Sequence, residues 1–320
     1  MSAPADHVRI GASSCLLGEP VRFDGGHKSS RFVSRELSEF VELVPVCPEV
    51  EMGLSVPRKP MRLVRNGDAV RMLEIESGFD HTPELEAFAQ KRIRVLRKLG
   101  LCGYVFKQDS PSCGAFRVKI YPERKGRAER KGEGLFAGAL REALPWLPIE
   151  EEGRLEDAGR RDLFGERVFA LRRLRMLFQG RWTAGQVVAF HTAHELQLMA
   201  HSAAGYRALG QLVAEVRDRP RAEFREVYGT LFLESFAKKV STRRHVNVLQ
   251  HMLGYFRKTL DEGSRADLAE MIEEFRRGET TLLVPLARIR HTARRLEVED
   301  LEGQTYLSPE TAERKLRFRA

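Results

Sequence analysis

Cysteine is scarce in this 320-residue sequence: there are four, Cys15, Cys47, Cys102 and Cys113, with no Cys-x-x-Cys pair and no regular spacing. So few thiols do not make a disulfide-stapled scaffold. In a reducing compartment they are left with metal binding, catalysis or inert burial. Extended apolar stretches are missing too, and no run approaches the ~20 residues that span a bilayer. The opening MSAPADHVRIGASS lacks the charged-then-apolar pattern of a secretory signal. The chain therefore reads as soluble and cytoplasmic, with no membrane partner. Internal repeats and low-complexity tracts are absent as well, which argues against a solenoid.

What the sequence has in quantity is charge. Lys and Arg number 54 against 45 Asp and Glu, for a formal charge of +9 and a pI near 9.6. Basic clusters fall at 124–131, 172–175 and 314–319. Such a balance fits electrostatic contact with nucleic acid, and it equally fits arginine-rich solvated helix faces, the preferred reading. A hydrophobic content of 42% is enough for real cores, and the length points to two domains.

Patterning divides the chain. Short apolar strands are expected at residues 8–12, 42–46, 69–75, 103–106 and 116–121. Helices are expected over 32–40, 82–99 (opened by Thr82-Pro83) and 135–144. The charged, Gly-containing stretch 122–134 reads as a mobile surface loop, and the carboxylate-rich 150–157 as the end of the first domain. Alternation of strand and helix predicts an α/β fold, three-layered with a largely parallel sheet. Beyond about residue 160 strand signals vanish. Helical spacing recurs over 186–202, 222–230, 246–258 and 265–277, with Gly205, Pro220, Gly263 and Pro285 read as punctuating the links. The expected organisation is an α/β domain over 1–165 and an all-α domain over 166–320.

The cysteines gain meaning from where they fall. Cys15 follows the first strand, Cys47 closes the second, and Cys113 lies in the loop after the strand at 103–106. If these strands run parallel, the three thiols converge at the carboxyl edge of the sheet, where open α/β folds bind ligands. Cys102 precedes its strand and lies roughly 10–15 Å away at ~3.3 Å per residue. Three converging thiolates suit a soft metal centre. A structural zinc site wants four ligands, and no histidine stands at finger-like spacing. A cubane cluster with three protein ligands would leave one iron open. Spacing by itself does not decide between such a cluster and buried, inert thiols.

The surrounding blocks go further. SSCLLGEPVRFDGGHK around Cys15, VPVCPEVEMGLSVPRKPMRL around Cys47 and FKQDSPSCGAF around Cys113 together resemble the thiouracil desulfidase family over roughly residues 8–160. The resemblance implies a 4Fe–4S cluster held by Cys15, Cys47 and Cys113. It also implies hydrolytic removal of sulfur from a small thiolated base or nucleoside. Residues 186–291, with VVAFHTAHELQLMAHSAAGYRALG, RRHVNVLQHMLGYF and LLVPLARIRH, resemble the helical YbgA-like domain, a resemblance that names the module without explaining it.

Hydrolytic desulfuration needs a Lewis acid for the sulfur, a base for water, donors for the heterocycle and a dry pocket. Glu49 is the candidate base, with capping of the following turn as its alternative. Ser112 and Ser110, flanking Pro111, are candidate donors to substrate or cluster, with turn formation as theirs. Lys107 and Asp109 are weaker candidates, Gly26 and Gly114 would let backbone approach the cluster, and Arg58 could hold an anionic group, with a surface ion pair as the preferred reading. His191, His194 and His201 share a helical face, and His245 and His251 lie on a later helix. They are read as hydrogen-bonded core residues rather than ligands. The competing function is a nucleic-acid-binding or regulatory protein carrying a structural or sensory cluster.

Overall fold

In the computed structural model, residues 8–124 and 126–318 are described; His7, Lys125 and Arg319, which belong to segments singled out above, fall outside them. The chain divides into two compact units, Met1–Arg172 and Arg173–Ala320. The fold class is the expected one: an α/β region followed by a helical region.

The first unit is organised by a four-stranded, wholly parallel sheet. Its strands are β1 (Arg9–Ser13), β2 (Glu42–Val46), β5 (Gly103–Phe106) and β8 (Ile149–Glu151), in the order β2-β1-β5-β8. β5 is buried along its whole length, as a central parallel strand covered on both faces should be. The remaining strands, those read at 69–75 and 116–121 among them, do not extend this sheet. Instead β3 (Met61–Asn66), β4 (Ala69–Glu74), β6 (Val118–Pro122) and β7 (Glu129–Gly132) form a second, mixed sheet in the order β4-β3-β6-β7. β3 and β4 make a hairpin, β3 and β6 run parallel, and β6 and β7 run antiparallel.

Three local expectations are corrected. The stretch 122–134 is not all loop, because Glu129–Gly132 pairs with β6 as an edge strand. The carboxylates from Glu150 do not simply close the domain: Ile149–Glu151 completes the first sheet beside β5. Residues 32–40 are helical, but as a π turn at Phe32–Glu36 running into a 3-10 turn at Leu37–Glu39. Two α-helices serve the cavity described below: α1 (Pro48–Glu51) and α3 (Leu135–Ala143). α2 (Thr82–Leu99) occupies the span expected for it, its first turn fixed by Thr82 N–H donating to Asp80 Oδ1 at 2.9 Å.

The second unit is helical. After α4 (Ala158–Leu177) come α5 (Ala184–His201), α6 (Ala203–Ala214), α7 (Arg221–Ser235), α8 (Thr242–Tyr255), α9 (Glu262–Arg277), α10 (Leu283–Arg295) and α11 (Thr311–Phe318). A capping box, Thr183 with Gln186, opens α5. Gly205, Gly263 and Pro285 lie inside the first turns of α6, α9 and α10, not in links. Early helical N–H groups have no intrahelical partner, so proline costs little there. Leu249, Met252, Phe256, Ile272 and Ile289 fill the core between α8, α9 and α10. Among the described residues no helix is long and apolar enough to cross a membrane.

Candidate active site

The carboxyl ends of β1, β2 and β5 lie side by side, and a cavity of about 460 Å³ opens beyond them. Cys15, Cys47 and Cys113 all line it. Cys15 sits in the 3-10 turn Ser14–Leu17 after β1, Cys47 precedes α1, and Cys113 ends the loop that leaves β5. None is in a disulfide. Cys102 precedes β5 and donates to Gly100 O at 3.6 Å, outside the cavity wall.

The thiols feel one another. Burial pushes Cys15 up to about 11, and the neighbouring Cys47 adds to the effect. Cys113 is raised further, first by burial, then by Cys47 and Glu49, while hydrogen bonds from Ser112 and Ser13 pull the other way. Cys47 is raised by its own burial. Even so, no group of three His, Cys, Asp or Glu among the described residues is gathered so as to hold a metal ion. Three thiols on one cavity wall, with no histidine among its lining residues, are a soft donor set of the kind that holds an iron–sulfur cluster.

Around the thiols runs a buried hydrogen-bond chain. Ser112 donates through Oγ to Glu49 Oε1 at 2.6 Å and lies 3.7 Å from Cys113 Sγ. Ser110 Oγ is 3.1 Å from Ser112 Oγ and accepts from the Cys113 N–H at 3.1 Å. Glu49 does not cap the turn of α1. That position belongs to Glu51, whose Oε1 accepts from Cys47 N–H at 2.9 Å. Arg58 is not a surface ion pair either. It bonds Glu49 Oε2 from both Nε and Nη2, with side-chain exposures of only 8% and 11%.

Backbone elements that sequence reasoning missed hold the Cys113 loop. The first N–H groups of α3 point at it: Leu135 donates to Pro111 O at 3.1 Å, and Phe136 to Ser112 O at 3.0 Å. Gly134 is needed there, since a Cβ would stand 2.6 Å from Ser112 O. Gly114 serves the same packing, since a Cβ there would stand 2.4 Å from the Val118 side chain and 2.8 Å from Ser110 O. Gly26 lies outside the cavity wall. From β8, Glu151 accepts from the N–H groups of Ala115 and Phe116 at 2.9 and 3.0 Å. Glu152 accepts from Gln108 N–H at 2.9 Å and pairs with Lys107 Nζ. Three glutamates following the apolar Pro148-Ile149 pair were the available signal. Asp109 borders the cavity and pairs with Arg130 at 3.1 Å.

Residues 10–152 match the family described as 2-thiouracil desulfurase. The chain belongs to that family. Residues 195–310 match a second family, described as a protein of unknown function, DUF1722. This desulfurase-family chain is 36% identical to YbgA of Escherichia coli K12, an uncharacterized protein, over 44% of its own length and 83% of YbgA. It is 31% identical to the uncharacterized YbbK of Bacillus subtilis 168, over 41% of its length and 88% of YbbK. Among solved structures it is similar to the 4Fe-4S-dependent thiouracil desulfidase TudS, with 32% identity and a TM-score of 0.39, covering 47% of this chain and 94% of that one.

In the helical unit the histidines are accounted for individually. His194 Nδ1 donates to Phe190 O at 2.7 Å while Nε2 accepts from Arg173 at 3.0 Å, which fixes a neutral tautomer. His191 meets Tyr228 OH at 3.3 Å, His201 the Lys238 carbonyl at 2.9 Å and His245 the Tyr306 OH at 2.6 Å. His251 is exposed.

Proposed function

We propose that the first unit is an iron–sulfur-dependent desulfidase that hydrolytically replaces the sulfur of a thiolated nucleobase, or of a similar small thio-compound, with oxygen. The observation that carries this reading is three unbridged thiols on the wall of one cavity, beside a buried glutamate–serine pair. Cys15, Cys47 and Cys113 would hold a 4Fe–4S cluster, since their unbridged thiols border one cavity. When bound, such a cluster supplies a soft Lewis acid for the substrate sulfur.

The chemistry asked of the chain is C=S plus H2O giving C=O plus H2S. A carbon–oxygen bond forms, a carbon–sulfur bond breaks, and no net electron transfer occurs. Glu49 accepts the proton of the attacking water. Ser112, already donating to Glu49 Oε1, keeps that carboxylate aimed and offers its oxygen to the polar edge of the heterocycle. Ser110 holds Ser112 and the Cys113 N–H in register. Val21, Phe23 and Met61 give the cavity an apolar wall, which excludes bulk water and strengthens every charge interaction inside it.

The test is anaerobic. The full chain, reconstituted with iron and sulfide, is given 2-thiouracil, and uracil and sulfide are measured. Equal release of both over many turnovers is expected. A protein with a full complement of iron and sulfide that releases neither contradicts the reading.

A further inference from the structure

Arg58 does more than neutralise Glu49. Its Nε and Nη2 both fall on the single oxygen Oε2, and the Nε contact is 2.7 Å. Arginine–carboxylate pairs are frequently bidentate, two parallel N–H···O bonds with one nitrogen to each oxygen. Here the fork is displaced, and Oε1 is left to Ser112. The guanidinium is itself anchored: Nη2 donates to Val21 O at 3.0 Å and Nη1 to Ser55 O at 3.4 Å. The backbone N–H of Arg58 donates to Phe23 O at 2.9 Å. Arg58, Glu49, Ser112, Val21 and Phe23 all border the cavity that the three thiols line.

We propose that Arg58 is a positioning residue for desulfuration: it grips Glu49 by Oε2 so that Oε1 faces Ser112 and the cavity. The proposal rests on the reading of Glu49 as the base. Lysine cannot replace arginine in this role, because an ammonium is a point charge without a planar fork. Arg58→Lys keeps the charge and loses the grip.

The full chain, reconstituted anaerobically, is compared with Arg58→Lys and Arg58→Ala using 2-thiouracil. Arg58→Lys is expected to lower kcat roughly 100-fold, the cost of a catalytic group displaced by about 1 Å, with KM within about threefold and iron and sulfide content unchanged. Added guanidinium is expected to restore Arg58→Ala saturably. In crystals of metal-free Arg58→Lys, the contact between Glu49 Oε1 and Ser112 Oγ, 2.6 Å here, is expected to be lost. A wild-type kcat in Arg58→Lys, a loss confined to KM, or Glu49 still seated on Ser112 in that crystal overturns the proposal. Should Arg58→Ala not fold, Arg58→Lys decides. A wild-type protein that releases no sulfide defeats the functional reading, while the crystal still judges the grip of Arg58 on Glu49.

Discussion

Two glutamates on one turn of α1 do different work. Glu51 points back to the Cys47 N–H and outward to Arg92 at 3.0 Å, fixing the turn that presents the thiol. Glu49 points into the cavity, between Arg58 and Ser112. The pair predicts a separation of effects. Glu49→Gln is expected to lower kcat by roughly 10²–10⁴, the span general-base catalysis contributes, with iron content nearly unchanged; its melting temperature falls as well, because Arg58 is left buried without its carboxylate. Glu51→Gln is expected to keep kcat and lose about 1 kcal/mol of stability, as loss of a cap does; turnover and thermal melts on both variants check this. Sequence marked Glu49 because it lies two positions from Cys47. It did not separate base from cap, since that depends on which carboxylate Arg58 reaches, a contact made in the folded chain. Arg58 was misread for the same reason.

Elements were legible where local pattern and tertiary context agreed. β1 and β5 are apolar runs in the middle of the first sheet, β2 is an apolar run at its edge, and their parallel order brings three thiols to the carboxyl ends of the strands. β7, reading Glu-Arg-Lys-Gly, and β8, reading Ile-Glu-Glu, carry no such pattern. They are strands because neighbours offer them a hydrogen-bonding edge. In β8 the Glu151 carboxylate, its ordinary value raised by burial, serves as an acceptor for two backbone N–H groups. The junction of α3 with the Cys113 loop was invisible too, because it rests on the absence of a side chain at Gly134. Gly134→Ala would drive a Cβ to 2.6 Å from Ser112 O and 2.9 Å from Cys113 N. The expected result is a loss of about 1–3 kcal/mol in urea unfolding, the cost of overpacking. Faster release of iron to a chelator should accompany it.

At the level of the whole chain, a cavity-bearing α/β unit is joined in sequence to a helical unit in which His191, His194, His201 and His245 are buried and hydrogen-bonded. His194 is the most informative of them for stability. Burial, and after it the charge of Arg173, hold it well below its ordinary value of 6.5. The unfolded chain takes up a proton near that value and the folded chain does not. Stability is therefore complete above pH 6.5 and is lost as pH falls below it, with a slope approaching about 1.4 kcal/mol per pH unit for one such proton. Thermal melts across this range should show the decline, and His194→Gln should flatten it; a wild-type melting temperature that does not fall on acidification contradicts this reading of His194. The first unit invites a more direct test. Iron, acid-labile sulfide and sulfide release from 2-thiouracil are to be measured anaerobically in the wild type, Cys113→Ala and Cys102→Ala. About four irons and four sulfides per chain, with turnover, are expected for the wild type and for Cys102→Ala, and a colourless, inactive protein for Cys113→Ala. Undiminished sulfide release from Cys113→Ala would contradict a reaction that depends on the three thiols lining one cavity.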